Sequence, residues 1–212
     1  MQVAMLESLR CPAPHPAAPL IAAVRRRAGD DVQEATLGCP TCGAEYAITN
    51  GVARLGEDAP PAGAARPDDE ALMRAGALLG LIGGGGAVAL APSWAEYAHP
   101  LVALTDVAAL VVGPPPGFST GDGVSAVAGV RGLPVAATTF RGVALDAWVA
   151  TDPDALAQWI RACKPKGRIV AAADIAVPAG VVTLARDDRH WVGERDAASV
   201  SAPVPLTRAG RP

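Results

Sequence analysis

Apolar runs alternate with helical stretches over most of the chain after residue 69. Short, nearly continuous apolar runs predict strands that are buried on both faces. Such strands are expected at 87–91, 107–112, 135–139, 143–149, 168–172, 181–185 and 191–194. The stretches between them predict helices at 70–82, 94–104 and 153–163. Strands that alternate with helices favour a parallel, doubly wound α/β sheet.

Polar residues and glycines mark the ends of these elements. Asp152 is placed to cap the third helix, with Pro153 in the favoured first position. Ser93 is expected to cap the second helix, because Glu96 stands at the offset of a capping box. Four consecutive glycines at 83–86 predict a turn. Residues 117–132 are Gly-rich and give no clear element.

The chain before residue 57 has a different character. It holds three of the four cysteines, and residues 57–68, rich in Pro, Ala and Gly, predict a linker. We therefore expect a small N-terminal domain at 1–56 and a larger α/β domain at 69–212. Within the small domain, residues 21–27 are expected to form a helix.

The cysteines of the small domain form a candidate metal site. Cys39 and Cys42 are separated by two residues, and Gly43 permits the tight turn in which backbone amides approach sulfur. Cys11 and His15 form the candidate second pair, with a spacing one residue wider than usual. Four thiolate and imidazole ligands on two turns suit tetrahedral Zn²⁺. We predict a structural zinc site, because a domain this small can barely bury a core unaided.

The same residues allow other interpretations. Cys39 and Cys42 alone could form a redox pair, although the βαβ context of such pairs is missing. Glu45 or water could replace His15 as the fourth ligand, or the small domain could hold no metal. Cys163 stands apart near a helix end and is expected to be a buried structural cysteine.

The N-terminal segment resembles the small zinc-ribbon family that activates tRNA, rRNA and release-factor methyltransferases. That family carries Leu-x-Cys-Pro near its start, then Cys-x-x-Cys, Tyr-Pro-Ile and an Asn/Asp-Gly-Ile-Pro turn. Here the matching motifs are Leu9-Arg-Cys-Pro12, the pair at 39 and 42, Tyr46-Ala-Ile48 and Asn50-Gly-Val-Ala53. Two family prolines are alanine, and His15 stands where a cysteine is usual. The resemblance covers about residues 5–56 and implies a zinc ribbon.

The stretch 143–172 resembles class I S-adenosylmethionine-dependent methyltransferases. In that family a strand with a central Asp is followed by a helix and then by Leu-Lys-Pro-Gly-Gly-Arg-Leu-Val. Here Asp146 and the run Lys164-Pro-Lys-Gly-Arg168 hold those places. The resemblance implies that the last two predicted strands form the family's closing antiparallel hairpin.

The cofactor-binding pattern of that family is missing. The resemblance implies a glycine-rich loop after the first strand and a carboxylate at the end of the second, by the logic of dinucleotide folds. Here the glycines precede strand 87–91, and the second strand ends in Gly113-Pro-Pro-Pro116 without an acid. If 78–82 were the first strand instead, the glycines would follow it. The candidate cofactor-binding residues are therefore Gly83, Gly84, Gly85 and Asp146.

Composition and charge argue against several kinds of partner and location. The net charge of −3 argues against a nucleic-acid partner. Residues 75–95 are uncharged and long enough to span a bilayer, but four glycines would cost a helix roughly 3–4 kcal/mol, so no membrane span is expected. No secretory signal is visible, and reduced cysteines fit the cytoplasm. Two lysines among 18 basic residues, beside abundant Ala, Gly and Pro, are typical of a GC-rich bacterial genome.

These observations favour a non-catalytic protein that joins a zinc ribbon to a degenerate methyltransferase-like domain and acts by binding a partner protein. The alternative is a methyltransferase with its activator ribbon fused in cis, which would bind S-adenosylmethionine. An open cleft near residues 92–94 and Gly113 would favour the alternative, and bulky side chains there would favour the first interpretation. An RNA-binding ribbon is a third possibility, which the near-neutral charge disfavours.

Overall fold

The computed structural model describes residues 1–60 and 66–197. Its strands are β1 (Ile21–Ala28), β2 (Asp31–Gly38), β3 (Glu45–Thr49), β4 (Val52–Arg54), β5 (Ala87–Leu90), β6 (Ala108–Val112), β7 (Val124–Ala128), β8 (Phe140–Ala144), β9 (Cys163–Ala172), β10 (Val181–Arg186) and β11 (His190–Arg195). The helices are α1 (Val3–Ser8), α2 (Asp69–Leu78), α3 (Ala98–Thr105), α4 (Ala147–Ala150) and α5 (Pro153–Ala162), with a 3-10 helix at Pro92–Tyr97.

The described strands form one sheet in the order β1-β2-β3-β4-β7-β6-β5-β8-β9-β11-β10. The five central strands, from β7 to β9, run parallel. Chain order reverses between β5 and β8, and doubly wound sheets bind ligands outside the carboxyl ends of the strands at such a point. An antiparallel hairpin of β11 and β10 extends the sheet beyond β9. The predicted α/β class with a parallel sheet is confirmed.

The cysteine-containing segment is an antiparallel meander that continues this sheet. Strands β1 to β4 pair in chain order, and β4 then pairs in parallel with β7. The buried side chains of β2, Val32, Ala35 and Leu37, belong to the same core cluster as those of the parallel strands. The N-terminal segment therefore shares both a sheet and a core with the remainder of the described chain.

The predicted helix at 21–27 is wrong, because this segment is strand β1. Gly29, with φ +57°, turns the chain so that Ile21 pairs with Gly38 and Ala28 with Asp31. The apolar and arginine residues of the segment are compatible with a helix by local preference. Pairing with the half-buried β2 overrides that preference, since strand formation depends on the partner more than on intrinsic tendency.

Three other predicted elements need correction. Residues 135–139 form no strand, and Val135 makes a single bridge to Leu9. The strand expected at 143–149 ends at Ala144, because Asp146 caps α4. Ser93 caps no helix through its side chain, since the chain enters a 3-10 helix directly at Pro92. Strand β7 arises in the Gly-rich stretch that gave no prediction.

Other predicted elements are present with changed ends. Helix α5 starts at Pro153, and the side chain of Asp152 accepts hydrogen bonds from the backbone N–H groups of Asp154 and Ala155. Helix α2 starts one residue earlier than expected and ends at Leu78, before the glycine turn. Among the described residues, no helix is long and apolar enough to cross a membrane.

Part of the predicted linker lies against the sheet. The backbone N–H of Asp58 donates to the carbonyl of Gly129, which follows β7. Residues 61–65 of that linker and residues 198–212 of the predicted larger domain lie outside the described residues. The boundaries at 56 and 69 thus remain predictions.

Candidate functional site

The structure brings together the four predicted metal ligands. The Sγ atoms of Cys11, Cys39 and Cys42 and a ring nitrogen of His15 all lie within 4.8 Å of one another. Cys11 Sγ is 3.8 Å from Cys42 Sγ, and His15 Nε2 is 3.4 Å from Cys39 Sγ. Three sulfurs and one imidazole nitrogen at such separations match the ligand set of tetrahedral Zn²⁺.

Cys39 and Cys42 lie on the tight turn between β2 and β3. The N–H of Gly43 donates to the carbonyl of Cys39 at 2.9 Å, and the N–H of Cys39 donates to the carbonyl of Ala44 at 2.9 Å. Gly43 adopts φ +73°, a region that favours glycine. The turn that the sequence predicted after Cys42 therefore holds both thiols on one side of the hairpin.

Cys11 and His15 lie on the loop that precedes β1. The N–H of Cys11 donates to the carbonyl of Ala18 at 2.9 Å, which closes this loop. Nδ1 of His15 lies 2.7 Å from the carbonyl oxygen of Pro16. If Nδ1 carries the proton, this hydrogen bond leaves the Nε2 lone pair free toward the sulfurs, as in metal-binding histidines.

Hydrogen bonds lower the pKa of the Cys11 and Cys39 thiols, whereas burial and the neighbouring thiols raise the pKa of Cys42. Burial opposes ionisation of Cys39, but hydrogen bonds from the N–H groups of Cys42 and Thr41 outweigh it and lower the pKa of this thiol to about 6. The hydroxyl of Tyr46 lies 3.5 Å from Cys11 Sγ. Burial and the neighbouring Cys11 raise the pKa of Tyr46, so that it stays protonated and can donate to sulfur. A divalent cation would balance the charge of the thiolates that bind it.

The carboxyl edge of the sheet at the β5–β8 reversal is bridged by direct contacts. The N–H of Ser93, just after β5, donates to Oδ2 of Asp146 at 3.1 Å. The indole N–H of Trp94 donates to the carbonyl of Leu145 at 3.2 Å. Oδ1 of Asp146 accepts from the N–H of Val149 at 3.1 Å, so this carboxylate both caps α4 and holds the loop after β5.

The end of β6 is covered by bulky side chains. A Cβ atom on Gly113 would lie 3.0 Å from Pro60 Cβ, 3.0 Å from Pro92 Cγ and 3.2 Å from Trp148 Cζ3. The guanidinium of Arg131 lies over the ring of Trp148, 5.2 Å from its centroid. Gly113, at the carboxyl end of β6, is thus closely packed against the side chains of Pro60, Pro92 and Trp148.

The glycine turn lies at the opposite edge. Gly83, Gly84 and Gly85 precede β5 at its amino end, and all three have positive φ. Arg141 on β8 donates from Nη1 to the carbonyls of Gly84 at 2.5 Å and Gly85 at 3.0 Å. The turn is therefore held by a side chain of this protein, far along the strand from the edge where a cofactor would bind.

Asp146 also lines a cavity of about 480 Å³ beside the reversal point. Other lining residues are Ser93, Trp94, Trp148 and His190. The volume lies within the range of small-molecule sites. Its lining also includes Ala172, at the end of β9.

Sequence reasoning missed the residues that cover the cofactor edge and the glycine turn. Pro60 fell in the predicted linker, and Trp148 carried no local signal for a position at this edge. Arg141 fell between two of the predicted strands and gave no prediction. Their roles depend on long-range packing that no local pattern reports.

No protein-family profile matches the chain, and no curated protein sequence matches it. A methyltransferase from Geobacter sulfurreducens is similar in structure with a TM-score of 0.45 at 13% identity, over 62% of this chain and 81% of that chain. The antibiotic-resistance methyltransferase Kmr gives a TM-score of 0.41 at 13% identity, over 62% and 94%.

The chain spans less than half the length of several similar structures. A geranyl diphosphate methyltransferase is covered over 44% of its length and 48% of this chain, with a TM-score of 0.37 at 16% identity. These similarities are distant, and the fold assignment rests on the strand order and hairpin of the chain itself. The protein has a mixed α/β fold whose sheet has a parallel core, and it carries an N-terminal Cys₃His cluster.

Proposed function

We propose that this protein binds one structural zinc ion and uses its methyltransferase-like sheet as a non-catalytic scaffold for a partner protein. The observation that carries the proposal is the packing of Pro60, Pro92 and Trp148 around Gly113. In a doubly wound sheet, that position borders the crevice in which a cofactor would lie. A cofactor would have to displace an indole ring and two prolines.

The polar groups at the same edge give further support. Asp146 is engaged by two backbone N–H groups, from Ser93 and Val149, so its carboxylate serves the local fold. The end of β6 carries no acid to hold ribose hydroxyls. The glycines that would cradle a phosphate or carboxylate lie at the other edge, with carbonyls fixed by Arg141. These three features support a sheet that does not bind the cofactor.

Zinc has a structural role in this proposal. All four ligand positions of a tetrahedral ion would be filled by Cys11, His15, Cys39 and Cys42, which leaves no open position for catalysis. The ion would hold the loop before β1 against the β2–β3 turn. Strands β1 to β4 continue the main sheet, so the ion would also stabilise β1, the outermost strand at that end of the sheet.

The two ends of the sheet support protein binding. Strands β1 and β10 are its outermost strands in the described chain, and each has one unpaired edge. Large apolar side chains are exposed on both, with Ile21 61% and Val182 54% exposed. An unpaired edge with exposed apolar side chains can accept an extended strand from another protein.

Thermal unfolding with and without S-adenosylmethionine tests the non-catalytic part of the proposal. A ligand at 100 times its Kd stabilises a protein by about 2.7 kcal/mol, which raises Tm by roughly 5–10 °C for a chain of this size. We expect Tm of the zinc-loaded protein to stay unchanged with millimolar S-adenosylmethionine. A clear increase would contradict the proposal.

One observation favours the alternative, a methyltransferase with its ribbon in cis. The cavity lined by Asp146, Trp94 and His190 lies at the carboxyl edge of the sheet and is large enough for a small substrate. Transfer of a methyl group from S-adenosylmethionine would still need a cofactor site beside it. The thermal measurement distinguishes the two functions, because only the alternative predicts stabilisation.

A further inference from the structure

Arg195, at the end of β11, is a buried cation with unused donors. The residue is 7% exposed, and its Nη1 donates to the carbonyls of Arg161 at 2.8 Å and Cys163 at 2.6 Å. Its Nε is buried without an acceptor. Within the described ranges, Nη2 donates to no atom and no carboxylate forms an ion pair with Arg195.

The contacts of Arg195 neutralise its charge only in part. The two carbonyls lie at the carboxyl end of α5, where the helix dipole amounts to roughly half a negative charge. Burial of a cation is costly unless an anion or a full set of acceptors accompanies it. The charge of Arg195 is thus only partly balanced by its own contacts.

Arg195 lines a groove of about 670 Å³ on the amino-end side of the sheet. One wall is the apolar face of α5, with Pro153, Leu156, Ala157 and Ile160, and the other is the loop before β10, with Pro178 and Ala179. Arg161 is the second cation at the groove, and no carboxylate lines it among the described residues. The groove is separate from both the cysteine cluster and the β5–β8 reversal.

We propose that this groove binds a small aliphatic carboxylate. Arg161 and Arg195 place two positive charges at the groove, and charge-assisted pairs of guanidinium and carboxylate are roughly twice as strong as neutral hydrogen bonds. An alkyl chain would lie along Leu156, Ala157 and Ile160. An apolar wall with a few placed polar groups is the usual composition of a small-molecule site, and the volume is in the usual range. This inference does not depend on whether the sheet is catalytic.

Isothermal titration of octanoate into the zinc-loaded full chain tests the proposal, with octan-1-ol as the probe that lacks the charge. We expect saturable binding of one octanoate per chain and markedly weaker binding of octan-1-ol. Arg195→Gln should weaken octanoate binding at least tenfold, while Arg27→Gln, which removes an exposed arginine on β1, should leave it unchanged.

Loss of Arg195 also removes a contact to the end of α5, so a second variant is needed. Ala157 is exposed in the groove, and Ala157→Trp fills the groove without entering the core. We expect Ala157→Trp to abolish octanoate binding and Ala103→Trp, at an exposed alanine of α3, to preserve it. Absence of octanoate binding by the wild-type chain, or equal binding by Ala157→Trp, would overturn the proposal.

Discussion

Gly129 and Gly56 pack backbone to backbone where the ribbon strands meet the parallel sheet. A Cβ atom on Gly129 would lie well under 3.0 Å from the carbonyl oxygen of Gly56, a distance that real Cβ atoms essentially never show. The N–H of Leu55 donates to the carbonyl of Ala128, and that of Asp58 donates to the carbonyl of Gly129. This junction fixes the cysteine-containing segment to β7.

Substitution of Gly129 tests the importance of this junction. Gly129 and Gly117 both have φ +81°, but a Cβ on Gly117 would have nothing within 4 Å. Gly117→Ala should therefore cost only the backbone strain, about 1–2 kcal/mol of unfolding free energy. Gly129→Ala adds a clash with backbone and should cost upwards of about 4 kcal/mol. The free energy of unfolding is measured with urea. If the two variants lose similar amounts of it, the close packing of Gly129 does not stabilise the junction.

Zinc content should follow the four clustered residues. Cys39→Ser should abolish stoichiometric zinc and lower Tm, because the ion would link the loop before β1 to the β2–β3 turn. His15→Ala should speed zinc transfer to a chromogenic chelator at least about tenfold, and His15→Cys should restore slow transfer. His99→Ala is the matched control and should keep the wild-type rate. Full zinc retention by Cys39→Ser would exclude the cluster as the site.

Thiol reactivity should divide the cysteines into two classes. Burial raises the pKa of Cys163 to about 12, with Arg195 opposing the increase, so this thiol is neutral and inaccessible in the native state. We expect no rapid reaction of the zinc-loaded protein with a thiol reagent at pH 8. Three thiols should react after chelation and the fourth only after denaturation. A fast reaction of a fourth thiol in the chelated native protein would contradict the buried position of Cys163.

Acid should remove a stabilising contact of Asp187 in the turn between β10 and β11. Hydrogen bonds from the N–H groups of His190 and Arg189, with the ion pair to Arg74, lower the pKa of this carboxyl to about 2. A depressed pKa means that the contribution is complete above the unfolded value, near 3.9, and is lost as pH falls toward 2.

Urea unfolding of wild type and Asp187→Asn between pH 2 and 6 measures that contribution. The variant should be less stable than wild type above pH 4, and the difference should shrink toward pH 2. Asp188→Asn, at the exposed neighbouring carboxylate, is the control for removal of one charge. If the difference in unfolding free energy between wild type and Asp187→Asn does not change with pH, the charge of Asp187 does not stabilise the protein.

Elements with local signals could be predicted from the sequence. The capping residue Asp152 and the following Pro153 predicted α5, and the apolar run before Pro92 predicted β5. Both signals lie in neighbouring residues. The cysteine pair and its following glycine predicted the turn of the metal cluster for the same reason. His15 was placed by its spacing from Cys11 and lies within reach of the three sulfurs.

Elements that depend on distant partners could not be predicted. Segment 21–27 is a strand because β2 pairs with it, and Val124–Ala128 is a strand because β6 and β4 lie on either side. The covering of Gly113 by Trp148 and Pro60 joins residues far apart in the chain. Nothing in the composition of those residues distinguishes them from ordinary core or linker positions.

The most direct test of the central claim is isothermal titration of S-adenosylmethionine into the purified, zinc-loaded chain. Zinc should first be measured at one ion per chain, so that the ribbon is known to be intact. We expect no saturable heat at ligand concentrations up to the millimolar range, because Pro60, Pro92 and Trp148 pack around Gly113 where a cofactor would lie. Saturable binding with a micromolar Kd would contradict it and would favour a methyltransferase with its ribbon in cis.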